Sequence, residues 1–324
     1  MTSLLLLAWA TAVAVTVPRA VTARSWSRAV PRVAIGLWLG ALVSTTGAVL
    51  GAGLLAAVPP TALAAGFDGI VDACARALAR LGAPDETLAA LALAATAALA
   101  ARLTIGAVAT VRAARRWRRR HLAALSPVAR PGPTDGCTLV EHATPMVYCL
   151  PGRPGHVVVT RGALDALTPQ QLDAVLRHER AHLRGRHHLL VAVAAAFHRA
   201  LPGLPLARAA EDEVRRLVEH LADDRAGARH GRHTVAAAIV RLAGNAPGHA
   251  LGAGAPSVDR VRRPSVDRVR RLLAPAPPRS TARHLLGAAA IILLLAFPLA
   301  TTATAAGMAV HKATCSQPAA PAGD

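Results

Sequence analysis

Aromatic residues are nearly missing from this chain: three Phe, four Trp and one Tyr make up 2% of 324 residues. Sheets draw on aromatic and β-branched side chains, so a fold built mainly on strands is disfavoured. Acids are scarce too, 18 Asp and Glu against 37 Lys and Arg, which leaves a formal net charge of +19. Zinc-finger, homeodomain and RNA-recognition patterns are absent, so the basic charge is not read as a specific nucleic-acid interface. The four cysteines, Cys74, Cys137, Cys149 and Cys315, form no CxxC pair, which argues against a cysteine zinc site.

What is abundant is apolar. Hydrophobic residues make up 53% of the chain, and the mean hydropathy is +0.37. Ala and Leu carry most of this, and both favour helices. Four runs stand out: Ser3 to Val17, Val33 to Val58, Thr87 to Val111 and Leu285 to Ala306. The last three are long enough to cross ~30 Å of hydrocarbon at about 1.5 Å per residue. The first is short, and its positive charges follow it, which suits an uncleaved anchor better than a signal peptide.

Flanking charge orients the runs. Arg19, Arg24, Arg28 and Arg32 follow the first, and Asp68, Asp72, Asp85 and Glu86 lie between the second and third. Arg112, Arg115, Arg116, Arg118, Arg119 and Arg120 follow the third, and Arg279 and Arg283 precede the fourth. Positive charge stays inside, so both termini are expected outside and the region between spans three and four in the cytoplasm. Cys137 and Cys149 should then stay reduced, whereas Cys74 and Cys315 fall on the outer side, where a disulfide is open to them. Arg102 interrupts the third span at a cost on the order of 2.5–3.5 kcal/mol. Snorkelling to the cytoplasmic face is the preferred reading, and a polar contact inside the bundle is the alternative.

The division expected is therefore residues 1–111 with three spans, residues 112–283 as a cytoplasmic catalytic domain with its core at about 137–245, and residues 284–324 with the fourth span and a short external tail. Residues 124–136 read as a linker. Val147 to Leu150 and His156 to Thr160 read as a small β-hairpin around Pro151 to Gly155. Ser257 to Pro264 repeats almost at once as Ser265 to Arg271. The repeat falls in a basic stretch, 257–283, expected to be a solvated or lipid-facing linker.

Thr168, Pro169 and Gln171 spell a helix start with a capping box. The helix continues through Leu172, Val175 and Leu176 into His178-Glu179-Arg180-Ala181-His182. Positions four apart share a helix face, so His178 and His182 can hold one zinc ion through neutral imidazoles. Glu179 sits one step round, within reach of an attacking water but not placed as a ligand. A catalytic zinc needs a third protein ligand. The segment from Glu211 to Asp224 reads as a second helix with Val214, Leu217, Val218 and Leu221 as its apolar stripe. Glu219 and Asp223 share a face on it, so one can bind metal while the other steadies a ligand histidine. Glu211 and Glu213 are alternatives by spacing and are better read as an acidic first turn.

The run from His178 to His188, with Glu219-His220-Leu221-Ala222-Asp223 downstream, resembles the BlaR/MecR-type membrane metallopeptidases. Val157 to Leu164 and Leu172 to Leu176 also look like that family and like the related HtpX/Ste24-type peptidases. The resemblance implies a mainly α fold: a four-helix transmembrane frame with a cytoplasmic zincin-like α+β catalytic domain between spans three and four. It implies zinc held by His178, His182 and Glu219, Glu179 as the catalytic base, and Asp223 beside His178, with Asp224 as the register alternative. A protein or peptide substrate follows, with a cytoplasmic transcriptional repressor or a membrane protein as the two readings. The β-lactam-sensing members carry an external penicillin-binding domain after the last span. Here His311 to Asp324 follow it, so direct β-lactam sensing by a domain of this chain is not expected. The competing function is a non-catalytic membrane scaffold whose zinc is structural or inert. A base at Glu179 speaks against it, because a structural site has no use for one.

Overall fold

The computed structural model describes residues 1–22, 26–57, 87–152, 154–244, 258–275 and 280–315, with isolated positions between 62 and 75. Long apolar runs without helix breakers become long helices. They are α1 (Thr2–Thr22), α3 (Pro31–Ala57), α4 (Thr87–Leu125) and α11 (Thr281–Cys315), with the one-turn α2 (Trp26–Ala29) between the first two. All four long helices are apolar enough to cross a membrane. α3 is the hub of this frame, packed by α1, α4 and α11. It has no charge after Arg32 and most of its centre is buried, including Trp38, Ala41 and Leu42, with Val43 left exposed.

α4 does not stop where the apolar run ends. It continues unbroken past Val111 as an arginine-rich stalk to Leu125. Arginine is a good helix former, so nothing in the sequence ends the helix there. Arg102 stays exposed, and its Nε donates to the Ala200 carbonyl at 3.0 Å. The side chain thus combines an exposed position on α4 with a polar contact to another helix of the chain. A buried helix-end carbonyl needs a donor, and the guanidinium supplies one.

Four short strands follow α4: β1 (Ala129–Pro131), β2 (Cys137–Val140), β3 (Val147–Leu150) and β4 (His156–Thr160). β3 and β4 form the expected hairpin, paired antiparallel from Val147–Val159 to Leu150–His156. The sheet is larger than that hairpin, with strand order β1-β2-β4-β3 and a parallel β2–β4 pair at its centre. β1 lies inside the stretch read as a linker. Three residues ending in proline carry almost no periodicity, and only pairing with β2 holds them extended. The valines of β4 are buried on both faces, as a central strand requires.

The remaining helices are α5 (Arg161–Ala166), α6 (Pro169–Arg184), α7 (His187–Ala200), α8 (Pro205–His230), α9 (Arg232–Gly244) and α10 (Val258–Leu273). Thr168 and Gln171 close the predicted capping box on α6. Leu176 on α6 packs against Val157 and Val159, which fixes α6 across the sheet. Val214, Leu217 and Val218, the predicted stripe of α8, join Ala194 of α7 and Ala34, Trp38 and Ala41 of α3 in one core. α7 and α8 thus share a core with the long apolar helices.

The basic repeat is not a free linker. Its second copy belongs to α10, which packs on α9. Leu272, 1% exposed, is buried with Ala174, Ala226, Val235 and Ala236. Burying one leucine is worth about 1.5–3 kcal/mol, enough to hold down a helix whose arginines also find acids.

Candidate metal centre

α6 and α8 lie side by side and bring together residues some forty apart in the chain. His178 Nε2 and His182 Nε2 are 3.1 Å apart. Glu219 offers Oε2 at 3.5 Å from the first nitrogen and Oε1 at 3.4 Å from the second. Among the described residues these three form the group able to share a metal ion, with all ligand atoms within 4.8 Å of one another. Two neutral nitrogens and one carboxylate oxygen are a zinc donor set. The group borders a cavity of about 440 Å³ that Glu179 and Cys149 also line.

The ring atoms facing away from the group are held as well. His178 Nδ1 lies 3.0 Å from Asp223 Oδ1. Asp223 is fully buried and also accepts from Arg268, Nε to Oδ2 at 2.9 Å and Nη2 to Oδ1 at 2.6 Å. Arg268 Nη1 reaches Glu219 Oε2 at 3.0 Å. Asp224, the register alternative, instead pairs in bidentate fashion with Arg271 at 2.8 Å. Of the spacing alternatives, Glu211 binds His198 and Arg215 and Glu213 pairs with Arg216. Neither belongs to the histidine group.

Electrostatics favour a cation here. Burial alone would lower the His178 pKa, but the Asp223 and Glu219 carboxylates outweigh it and raise it to about 9. Glu219 is lowered to about 2: burial opposes ionisation, and His178 and Arg268 overcome it. His182 goes the other way, down to about 4, mainly through burial. Its neutral ring suits a metal ligand. Burial, the largest cause, raises the Glu179 pKa, with His178 opposing. A carboxyl so placed is a stronger base than an exposed one, which suits it to take and return a proton. Cys149 is pushed up to about 12 by burial and by the neighbouring Glu179, and it stands outside the His-His-Glu group.

Sequence reading missed Arg268 and Arg271, because a duplicated basic run looks like solvated charge. A signal was present: the second copy is followed by Leu272-Leu273, the mark of a helix with a buried edge. The run Val157 to Val159 also reads, from sequence, as a strand able to hold an extended substrate by strand addition, but β4, which contains it, is flanked by β2 and β3 and has no free edge. β3 is the edge strand beside β4, and β1 forms the opposite edge. Thr160 N–H bonds the Met146 carbonyl at 3.1 Å, so alternation turns the backbone N–H and C=O of Val147 and Cys149 away from β4. An oxyanion donor is also expected of such a site, and the sequence leaves His187, His188, His220 and the nearby arginines open for it; the structure separates the three histidines. His220 is buried, and burial with Arg271 and Arg216 nearby lowers it to about 3. His187 and His188 line a second cavity of about 930 Å³, which shares Cys149, His182 and Glu219 with the first.

Comparison with known proteins bears on the same segment. Residues 114–211 match the family model described as Peptidase family M48. The match takes in the stalk of α4, the sheet and the whole His178–His182 motif and stops before Glu219, which the geometry supplies. No solved structure matches the chain. The helical frame, the His-His-Glu group and the matched segment agree: the chain is a zinc metallopeptidase, similar over residues 114–211 to Peptidase family M48, with four helices long and apolar enough to cross a membrane.

Proposed function

We propose that the protein is an endopeptidase with its metal centre on the cytoplasmic side, working in regulatory proteolysis. The observation that carries the peptidase reading is the convergence of His178, His182 and Glu219 on one point beside a cavity that Glu179 also lines. In this reading those three residues hold zinc, and Asp223 keeps His178 in the tautomer that presents Nε2. Zinc supplies Lewis-acid activation of water and of the scissile carbonyl. Glu179 takes the proton of the attacking water on a carboxylate oxygen and passes it to the leaving amine nitrogen. The substrate lies extended along β3, bonding the outward N–H and C=O of Val147 and Cys149. Val147, Val175, Ile239 and Leu242 give that cavity an apolar wall.

The finer assignment, to the BlaR/MecR type, is supported by four spans with the zinc segment between the third and fourth. The inner location rests on the arginines after α1 and along the α4 stalk. A cytoplasmic repressor is the substrate class this arrangement suits, and a membrane protein is the other.

The test is metal analysis of the purified full chain and of Glu179→Gln, together with cleavage of a proteome-derived peptide library. Both proteins should hold one zinc, and the variant should lose about 10²–10⁴ in turnover. Zinc in both with no cleavage by either would leave an inert scaffold and end the peptidase reading.

A further inference from the structure

His187 is buried, 3% exposed, at the first position of α7. Its Nδ1 lies 3.0 Å from Nδ1 of His182, on the opposite side of that ring from His178 and Glu219. Two ring nitrogens at this distance share one proton, one donating and the other accepting. For His182 to offer the Nε2 lone pair to a metal, its own proton must sit on Nδ1. His187 must then accept at Nδ1 and carry its own proton on Nε2.

The backbone is shaped around this contact. α6 ends at Arg184, and the chain turns through Gly185 and Arg186. Arg186 has φ +49, the only positive φ at a non-glycine among the described residues. Such a conformation is uncommon for arginine and persists where its surroundings require it. At Gly185 a Cβ would come within 2.4 Å of His187 Nε2 and 2.5 Å of its Cδ2. Glycine is what lets the ring lie back over the end of α6.

We propose that His187 is a positioning residue for the metal centre: it accepts the His182 Nδ1 proton and so fixes the tautomer of that ligand, as Asp223 does for His178. The two ligand histidines thereby have unlike partners, a neutral ring for one and a buried carboxylate for the other. The proposal rests on the reading of His178, His182 and Glu219 as zinc ligands.

The experiment measures zinc affinity of the full chain in detergent by competition with a chromophoric chelator. His187→Asn keeps an acceptor where Nδ1 stands, and His187→Leu keeps bulk without one. His187→Leu should bind zinc about 10–100-fold more weakly than wild type, and His187→Asn within about threefold of it. Wild-type affinity in His187→Leu would overturn the proposal, as would equal losses in the two variants. If His187→Leu does not melt cooperatively, Gly185→Ala decides, since it displaces the ring without changing it: weakened zinc binding is expected, and unchanged binding overturns the proposal. A wild type that binds no zinc would take down the ligand reading and this inference with it.

Discussion

His178 sits between two carboxylates and a guanidinium, so its proton and a metal ion compete for the same place. With its pKa raised to about 9, against an ordinary value near 6.5, the ring is charged at neutral pH whenever no metal is bound. Because the folded value lies above the unfolded one, its contribution to stability is full below about pH 6.5 and lost as pH rises through about 9. Metal-free protein should therefore lose thermal stability across that window, while zinc-loaded protein should not. Zinc binding at pH 7.5 should release about one proton, read by calorimetry in buffers of different ionisation enthalpy. Absence of proton release would contradict the assignment of His178. The two histidines and Glu179 were legible in the sequence because four residues make one helical turn, and Glu219 was legible as one half of a second such pair. Arg268 was not, since spacing shows which face a residue shares but not which acid its charge will meet.

Among the elements, β3 and α10 matter most to the site. β3 presents the backbone of Val147 and Cys149 to open space, and an edge strand tolerates proline where the N–H points outward. Cys149→Pro should thus leave zinc stoichiometry unchanged and lower peptide turnover about tenfold or more relative to Cys149→Ala, since a backbone donor to substrate is lost. Equal turnover in the two variants would dispose of strand addition at β3. The hairpin residues were readable from valine runs around a Pro-Gly turn. The order of strands was not, because the parallel β2–β4 pairing joins residues about twenty apart and leaves no local pattern. α10 was hidden for a different reason: its burial depends on one apolar edge, Leu272, in an otherwise charged helix.

At the scale of the whole molecule, the spans were legible from hydropathy alone, and what they pack against was not. α8 buries Leu206, Ala207, Ala210, Val214 and Leu217 in the core that also holds Ala34, Trp38 and Ala41 of α3. Each larger side chain in that interface is worth about 1.5–3 kcal/mol, so α8, which carries Glu219, is anchored to the frame by a common core. Residues 112–283 made without the spans should sediment in the absence of detergent, whereas the full chain in detergent should run as a single species. A soluble, folded fragment that binds zinc would refute the shared core. The tandem Ser-Val-Asp-Arg-Val-Arg-Arg unit carries a genetic corollary. Excising residues 257–264 or residues 258–265 produces one and the same polypeptide. Either event would remove the first half of α10 and retain the half whose arginines now meet Asp223 and Asp224, so a lineage can shed the extra copy in one step and keep its hydrolytic apparatus.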